Sequence, residues 1–430
     1  MSQPPRLPWK NHGRLKVSDN CRFLVHEDET PFFWLGDTAW EIFHRTTRED
    51  VDLYMRTRAE QGFNVVHAVA LAEENGLRAP NPYGAVPLLN EDPTTPDVTG
   101  GYWDHVDYVV NKAAQLGIYI AFLPSWGDKV VKAWGQGPEV FNESNGFAYG
   151  EFLAHRYGKH PNIIWVAGGD RIPELKLNVF SAISQGIRSV DGNQHLMTFH
   201  PPGSQTSGTF VHNEPWLDFN MLQTGHSPGL ELIVRLLRED YHRTPTKPVL
   251  DGEPRYENHP VSFNKNNGYF DESDVRTAMF TSVFNGGCGV SYGCHAVWQF
   301  AGDKYAPVNN PISHWRYSLT LPGAQQAHHL KDFMLSLPWL SMKPRLDIVV
   351  PTGNTFTLAS DADDCIAIYT ASGEQIRFLK PQSESSVFSW FDPRSGETQA
   401  ATHENFAFTP PTSTSRVNDW VLTISPDSTR

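Results

Sequence analysis

Two carboxylates each stand directly after an apolar run of the chain. Asp170 follows the two glycines that end Trp165–Gly169, and Glu253 follows Val249–Gly252. A retaining glycosidase uses one carboxylic acid to protonate the leaving oxygen and one carboxylate to attack the anomeric carbon, with about 5–5.5 Å between them. We therefore predict that Asp170 is the general acid and base and that Glu253 is the nucleophile.

Each carboxylate also has a structural explanation. Asp170 could cap the next helix or pair with Arg171, although the two glycines before it would leave room for a ligand near the backbone. Asp251, Glu253 and Arg255 lie two residues apart and share one face of a strand, as in a buried ion network. The same Arg would also hold a nucleophilic carboxylate in its ionised form. Both explanations stay open at this point.

Polar and aromatic side chains close the other apolar runs as well. Polar groups there can bind sugar hydroxyls, and the face of an indole can cover the apolar face of a sugar ring. For each of them, the alternative to substrate binding is a structural role in the core or at the rim, where the protein itself supplies the hydrogen-bond partners. The predicted substrate-binding residues are Asp37, Trp40, His67, Trp126, His200, Gln223, His226, Glu257, His295 and Trp298.

The elements that would position these residues alternate between short apolar runs and segments of helical period. Apolar runs that end in polar residues are typical of barrel strands, whose carboxyl ends form the active-site mouth. We predict an α/β fold, a (β/α)8 TIM barrel, with strands at Phe32–Trp40, Phe63–Leu71, Tyr119–Trp126, Asn162–Asp170, Leu196–Pro202, Phe219–His226, Pro248–Tyr256 and Gly289–Trp298.

Seven helices are predicted from apolar periodicity and from capping signals at their ends. Residues 73–101 are rich in Pro, Gly and Asn and have no periodic pattern, so we expect a loop over the mouth of the barrel. The predicted helices are Thr47–Gln61, His105–Leu116, Phe147–Tyr157, Lys176–Val190, Leu230–Tyr241, Ser273–Asn285, which would open with a Ser cap, and Gly323–Ser336.

The pattern changes after Pro338. Short alternating runs separated by turns replace the helical periods, which predicts an all-β sandwich. The sequence therefore predicts two domains, a catalytic barrel over residues 1–340 and a small β-sandwich over residues 341–430.

Composition excludes some classes of partner. The chain of 430 residues has 35 basic and 48 acidic residues, a net charge of −13, which argues against nucleic acid because phosphate binding needs a basic face. The sequence contains no run of about 18 apolar residues, so no membrane span is predicted. The four Cys are scattered without a C-x-x-C pair and indicate a reducing compartment. Residues 1–5 lack the pattern of a secretory signal, so we expect a cytoplasmic location, or a secreted or periplasmic one if a leader has been trimmed.

Two rival chemistries are disfavoured. Gly289–Gly293 matches the G-x-S-x-G elbow of serine esterases, but apolar residues continue through Trp298 and predict an unbroken strand instead of a strand-to-helix turn. No H-E-x-x-H motif or closely spaced set of His and carboxylates is present, so neither a metal nor another cofactor is expected. A carbohydrate or glycoside is the expected partner, and the oligomeric state stays open.

Three segments, Phe33–Trp40, Trp165–Asp170 and Asp251–Glu257, resemble the apiosidase-like proteins of glycoside hydrolase family 140 over most of residues 10–340. The resemblance implies a (β/α)8 barrel and a retaining mechanism, with Asp170 as acid and base and Glu253 as nucleophile. Related barrel clans carry an Asn-Glu pair where Gly169-Asp170 stands here, which favours the apiosidase-like group. The implied substrate is an apiose-containing glycoside, either a pectic side chain or a plant glycoside.

The resemblance extends to the C-terminal module and leaves some alternatives open. That module resembles a small β-sandwich labelled as a collagen-binding domain in collagenase-associated proteins, although its residues give the label no support. Family members commonly act outside the cytoplasm, so the missing signal is a departure. An arabinofuranosidase or other pentoside hydrolase is the second interpretation, and a non-catalytic carbohydrate-binding protein is the third.

Overall fold

Eight parallel strands form the centre of the molecule. The computed structural model describes residues 7–362, 364–380 and 386–426, so the predicted absence of a signal in residues 1–5 lies outside the described residues. All eight predicted strands are confirmed, with shorter bounds: β1 Trp34–Thr38, β2 Val65–Leu71, β3 Tyr119–Ser125, β4 Ile163–Gly168, β5 Met197–His200, β6 Asn220–Gln223, β7 Val249–Asp251 and β8 Gly289–Tyr292.

The strands close into the predicted (β/α)8 barrel. Hydrogen bonds connect them in the order β5-β4-β3-β2-β1-β8-β7-β6. At the remaining seam between β5 and β6, the Thr198 hydroxyl donates to the Phe219 carbonyl at 2.6 Å, and the Asp218 N–H donates to the Met197 carbonyl at 2.9 Å. A two-residue strand, Gln205–Thr206, pairs antiparallel with β6. The sheet is therefore a nearly closed barrel with its core inside.

Within the described ranges, eight helices surround the barrel, and seven of them match the predicted helices. The helix α5 between β5 and β6 is short and was not predicted from the sequence. Thr47 and Asp50 form a capping box at α1, while Asp271 and not Ser273 caps α7. The helices are α1 Arg48–Glu60, α2 Tyr102–Gln115, α3 Glu143–Tyr157, α4 Leu177–Asp191, α5 Ser207–Val211, α6 Glu231–Tyr241, α7 Glu272–Phe284 and α8 Pro322–Ser336.

Shorter elements complete the barrel. A three-stranded antiparallel sheet precedes β1, and Phe32 in its last strand packs edge-on against Tyr119 at the start of β3, with ring centroids 5.4 Å apart. This sheet therefore packs against the amino-terminal end of the barrel at β3. The strands of this sheet are Leu15–Val17, Leu24–His26 and Pro31–Phe32. Short helices elsewhere in the chain are Pro8–His12, Ile42–Arg45, His295–Trp298 and Trp315–Ser318. The 3₁₀ turns are Leu89–Glu91, Gly127–Lys129, Val261–Phe263, Lys265–Asn267 and Trp339–Ser341.

The eighth strand corrects one prediction. It ends at Tyr292, and a short helix follows at His295–Trp298, so the expected unbroken strand through Trp298 is wrong. The esterase interpretation fails for another reason. Ser291 lies inside β8, fully buried, and its hydroxyl oxygen lies 2.8 Å from Nε2 of His67 and accepts a hydrogen bond from the Trp34 indole. An elbow serine must instead stand exposed on a turn.

The C-terminal module is all-β. Its main sheet has six antiparallel strands in the spatial order Lys343–Arg345, Thr355–Ala359, Ile366–Thr370, Trp420–Pro426, Ser386–Phe391 and Thr398–Ala400, and a separate ribbon pairs Ile376–Arg377 with Ala407–Phe408. Apolar side chains such as Ile368, Ile376 and Phe408 form a small core of their own. No helix within the described ranges is long and apolar enough to cross a membrane.

Candidate active site

A cavity of about 210 Å³ opens at the carboxyl ends of the barrel strands. It contains both predicted catalytic residues and six of the ten predicted substrate-binding residues. Residues from the loops after β2 and β3 and from the segment after Glu253 complete its walls. The lining residues are Trp40, Glu73, Glu74, Trp126, Trp134, Asp170, Gln223, His226, Glu253, Tyr256, His259, Phe263, His295, Trp298, Val308 and Asn309.

The backbone after β4 turns Asp170 into this cavity. Gly168, Gly169 and Asp170 have φ values of 89°, 110° and 57°, three consecutive left-handed residues of which only the last carries a side chain. A Cβ on Gly168 would lie 2.4 Å from the His200 carbonyl oxygen, and one on Gly169 would lie 2.6 Å from the Gly127 nitrogen. The glycines therefore allow the neighbouring strand ends to approach, and the expectation that they leave room for a ligand is corrected. A strained non-glycine residue is typical of a functional site.

Asp170 is held from three sides. Its Oδ2 accepts a hydrogen bond of 3.1 Å from the Trp134 indole, and its Oδ1 accepts one of 3.2 Å from the Gly203 N–H. Arg171 approaches Oδ2 to 3.5 Å but donates its shorter bond, 2.6 Å, to the Asp170 carbonyl. Burial and the nearby charge of Glu253 raise the pKa of Asp170 to about 6. A carboxyl group with such a pKa can hold a proton near neutral pH and donate it.

Glu253 has the opposite environment. Nε2 of His200 lies 2.9 Å from its Oε2, and Nε2 of His226 lies 3.4 Å from its Oε1. Burial alone would raise the pKa of Glu253, but the contacts with the two imidazoles lower it well below its usual range. Glu253 is therefore ionised at neutral pH, as a nucleophile must be.

The imidazole of His200 contacts the backbone of Asp170 and the carboxylate of Glu253. The Asp170 N–H donates to Nδ1 of His200 at 3.3 Å, while Nε2 of the same ring faces Glu253. His200 is fully buried and does not line the cavity, so it positions both groups from behind. Asp170 and Glu253 both line the same cavity.

Several buried polar atoms at the cavity have no hydrogen-bond partner among the described residues. In native proteins most such atoms are paired, so unpaired ones grouped at a cavity indicate positions where a ligand binds. Nε2 of His200 and Oε2 of Glu253 lie 2.9 Å apart without forming a hydrogen bond, so both atoms keep capacity for one. These atoms are Nε1 of Trp126, Nε2 of His200, Oε1 of Gln223, Nδ1 of His226 and Oε2 of Glu253.

Aromatic rings form two walls of the cavity. Trp40 and Trp126 lie with ring centroids 5.4 Å apart, and the Trp40 indole donates to the Tyr256 hydroxyl at 2.9 Å. On another side, His226 stacks on His259 at 3.9 Å. Burial lowers the pKa of His259 to about 2, so this ring is neutral at neutral pH. Indole faces with a few polar groups are suited to a sugar, which has both apolar and polar surfaces.

Two further predicted substrate-binding residues that line the cavity, His295 and Trp298, follow β8 in the chain. The Trp298 indole donates to Nδ1 of His295 at 3.2 Å, and Nε2 of that imidazole lies 3.0 Å from the Asn309 carbonyl. Burial lowers the pKa of His295 to about 4. Both side chains line the cavity as predicted, although they lie on a short helix and not on the strand.

Four predicted substrate-binding residues do not line the cavity: His200, which lies buried behind its wall, and three others that turn elsewhere. Asp37 is fully buried and points to the helix layer, where it accepts hydrogen bonds from Arg58 at 2.5 Å and Tyr54 at 2.6 Å. Glu257 accepts hydrogen bonds from the Tyr292 hydroxyl and from the N–H of Gly323 in the first turn of α8. Their expected sugar contacts are corrected, because both side chains are held by structural partners away from the cavity.

His67 is the third such residue. It is fully buried next to the Ser291 hydroxyl, and burial lowers its pKa to about 3. The predicted network of Asp251, Glu253 and Arg255 is also corrected. Asp251 accepts hydrogen bonds of 2.8 Å from the Thr224 and Ser282 hydroxyls, and Arg255 donates to backbone carbonyls.

Sequence reasoning missed part of the cavity wall. The loop 73–101 was predicted to cover the mouth, but Glu73 and Glu74 at its start were not singled out, although they directly follow β2. Trp134 was missed because nothing in the sequence around it indicates its contact with Asp170. Tyr256 and His259 follow Glu253 by three and six residues, and that proximity was a usable signal.

A barrel whose mouth holds an ionised and a protonatable carboxylate among indole rings is the arrangement of a glycoside hydrolase. The sequence model of the apiosidase-like catalytic domain matches residues 18–341, and a second family, labelled as a collagen-binding domain of a collagenase, matches residues 350–425. The chain belongs to the apiosidase-like family of glycoside hydrolases.

Solved structures agree with this assignment. A glycoside hydrolase family 5 protein from Bacteroides vulgatus is 33% identical, with a TM-score of 0.88 over 99% of this chain and 95% of its own. A second protein, described as a glycoside hydrolase, is 30% identical, with a TM-score of 0.90 over 99% of each chain. A maltogenic α-amylase from Thermotoga neapolitana, 12% identical with a TM-score of 0.56 over 92% of this chain and 99% of its own, shares the fold alone. No curated protein matches the chain.

Proposed function

We propose that this hydrolase releases apiose from apiose-containing glycosides by a two-step mechanism that retains the anomeric configuration. The observation that carries the proposal is the opposite tuning of two carboxyl groups beside one imidazole. Asp170 has a pKa raised to about 6, Glu253 has one lowered well below its usual range, and His200 contacts the backbone N–H of Asp170 and the carboxylate of Glu253. Pairs of carboxyl groups with separated pKa values divide the roles of acid and nucleophile.

In the first step, a carboxylate oxygen of Glu253 attacks the anomeric carbon while the bond from that carbon to the leaving oxygen breaks. Asp170 gives its proton to this oxygen. In the second step, Asp170 takes a proton from water, and the resulting hydroxide displaces Glu253 from the anomeric carbon. The water supplies the new anomeric hydroxyl, and both carboxyl groups return to their initial states.

The binding residues fit a small sugar. A cavity of about 210 Å³ is smaller than the pockets that hold drug-sized ligands, which supports a single pentose ring as the glycone. Trp40 and Trp126 would cover the apolar face of that ring. The unpaired atoms of Gln223 and His226 would bind its hydroxyls.

The test compares aryl apiosides with aryl arabinofuranosides and follows the first product by NMR. We expect the apioside to be hydrolysed faster and its sugar to emerge with the starting anomeric configuration. An inverted product would contradict the two-step mechanism. Preference for the arabinofuranoside would favour the second interpretation, a different pentoside hydrolase.

A further inference from the structure

The side of the cavity around Asp170 differs from the rest of its wall. A general acid protonates the leaving oxygen, so the residues beside Asp170 are those that meet the leaving group. Trp134 is the nearest of them through its hydrogen bond to Asp170. Its indole is about half exposed, at 51%, and the guanidinium of Arg171 lies 4.1 Å from its ring centre. A ring fixed in this way is a platform on which another ring can stack.

The same side is acidic. Glu73 lies close enough to Asp170 for their charges to interact, and Glu74 follows it in the chain. Both line the cavity, and no Lys or Arg side chain lines it among the described residues. The nearest guanidinium groups are buried: Arg171 is 1% exposed and contacts Asp170, while Arg45 is 5% exposed and lies 3.6 Å from Glu74. An anionic leaving group would therefore meet Glu74, and Asp170 once it has lost its proton, without a free cation to pair with.

The reaction itself would increase the repulsion between an anionic leaving group and the site. When Asp170 donates its proton it becomes an anion, and a carboxylate on the leaving group would oppose that new charge inside a partly buried site. Glu73 has its pKa raised to about 8 by burial and by the charge of Asp170, so a further negative charge nearby is already disfavoured. As a neutral carboxylic acid, Glu73 can instead donate a hydrogen bond to a hydroxyl.

We propose that the leaving-group side, formed by Trp134, Glu73 and Glu74, takes an uncharged ring with an apolar face. The natural substrates are then glycosides of neutral sugars or of phenols, and not of uronic acids. This inference rests on the proposed function, because the role of Asp170 as the acid defines which side receives the leaving group.

The charge is tested with two disaccharides that differ in one group. The glycone that the hydrolase accepts is linked to galacturonic acid or to its methyl ester, so the glycosidic bond is the same in both. We expect kcat/KM to be at least about tenfold higher for the ester at low salt, with a smaller ratio at high salt because screening weakens repulsion. Equal or faster hydrolysis of the free acid would overturn the inference. If no aryl glycoside of either pentose is hydrolysed, the proposed function itself fails.

A charge-removing variant sharpens this result. Glu74→Gln should narrow the preference for the ester, whereas Glu60→Gln, at the exposed end of α1, should leave the ratio unchanged. An unchanged ratio in Glu74→Gln would remove Glu74 from the leaving-group side.

The ring preference is tested with three uncharged leaving groups, methanol, glucose and phenol, on the same glycone. Glucose and methanol leave as alcohols, so faster hydrolysis of the glucoside by about tenfold would support stacking, and equal rates would contradict it. The ratio of the phenyl glycoside to the glucoside then shows whether a phenol or a neutral sugar fits better.

Trp134 variants separate stacking from the tuning of Asp170. Trp134→Ala should lose about tenfold more kcat/KM on the ring-bearing substrates than on the methyl glycoside, mainly through KM. Trp134→Phe keeps a ring but loses the N–H that lowers the pKa of Asp170. The alkaline limb of the pH profile of kcat/KM should therefore move to higher pH in this variant. Tyr317→Ala removes an aromatic ring that is 80% exposed outside the cavity and serves as the control. Equal losses on all substrates in Trp134→Ala would refute the platform.

Discussion

The cavity buries Glu253 and the junction between the two modules buries Asp419, but only Asp419 has hydrogen-bond partners on both carboxylate oxygens. At the junction, Asp419 is fully buried and accepts hydrogen bonds of 2.9 and 2.8 Å from Arg276 of α7, with further bonds from Arg394 and Tyr369. At the cavity, Glu253 keeps a buried oxygen without a good partner. This difference indicates that the buried charge of Asp419 stabilises the contact between the two modules, whereas Glu253 keeps an oxygen available to bind a ligand.

The comparison extends to energetics. A buried ion pair whose members are all hydrogen-bonded resists the loss of either partner, because the remaining charge is left buried alone. An unpaired buried acceptor destabilises the folded state, and a ligand that binds there can offset this loss by forming the missing hydrogen bond. Substitutions at the two places should therefore separate activity from stability.

The largest effect is expected for Glu253→Gln. Loss of the nucleophile should lower kcat by about 10⁴-fold or more, since no other group can form the covalent intermediate. The shape of the side chain is conserved, so the free energy of unfolding should change little. Steady-state kinetics on an aryl glycoside and urea unfolding measure the two quantities. Near-normal turnover would refute the assignment.

Asp170→Asn should have the next largest effect, about 10³-fold on kcat/KM for substrates with poor leaving groups. For a dinitrophenyl glycoside the loss should be smaller, because that leaving group needs no proton. The dependence of log(kcat/KM) on the pKa of the leaving group checks this expectation. A loss that is the same for every leaving group would contradict the role as acid.

Asp419→Asn tests the junction. The charge of Arg276 would remain buried beside a neutral amide, so we expect a loss of about 3 kcal/mol in the free energy of unfolding. Turnover per folded molecule should not change. The control is Glu239→Gln, which removes an exposed pair with Arg235 and should cost less than about 1 kcal/mol. If both variants unfold at the same urea concentration, the junction does not stabilise the protein as argued.

The smallest effect is the dependence on pH. Asp170 must be protonated to act as the acid, and the protonated fraction falls as pH rises through its pKa, so kcat/KM should decline above about pH 6. The lowered pKa of Glu253 keeps the nucleophile ionised well into the acid range, so the acidic limb should lie below the usual range of carboxylates. Asp170→Asn should flatten the alkaline limb. A limb that persists in this variant would belong to another group.

Much of the scaffold and both carboxylates were predictable from sequence. The strands and most helices follow from apolar periodicity and caps, which are local properties of the chain. The prediction failed at β8, where apolar residues of the helix His295–Trp298 continue an apolar strand without a break in composition. It also missed α5, which has only five residues and no detectable period.

The candidate site was predictable in part. Trp40, Trp126 and Gln223 reach the cavity as expected, whereas Asp37 and Glu257 turn towards the helix layer. Neighbouring residues at a strand end face opposite sides, and a shift of one residue exchanges core and cavity. A sequence shows that a polar residue stands at a strand end but not which side it faces.

The sequence by itself determined the order of elements, the collection of polar residues at the carboxyl ends of the strands, and the position of Asp170 and Glu253 among them, because each depends on near neighbours in the chain. Only the tertiary structure decided that His200 lies between Asp170 and Glu253, and that Trp134 and Glu73 stand beside the acid. These contacts join residues tens of positions apart. They fix burial and charge around each carboxyl group, and burial and charge set the pKa values on which the proposed chemistry depends.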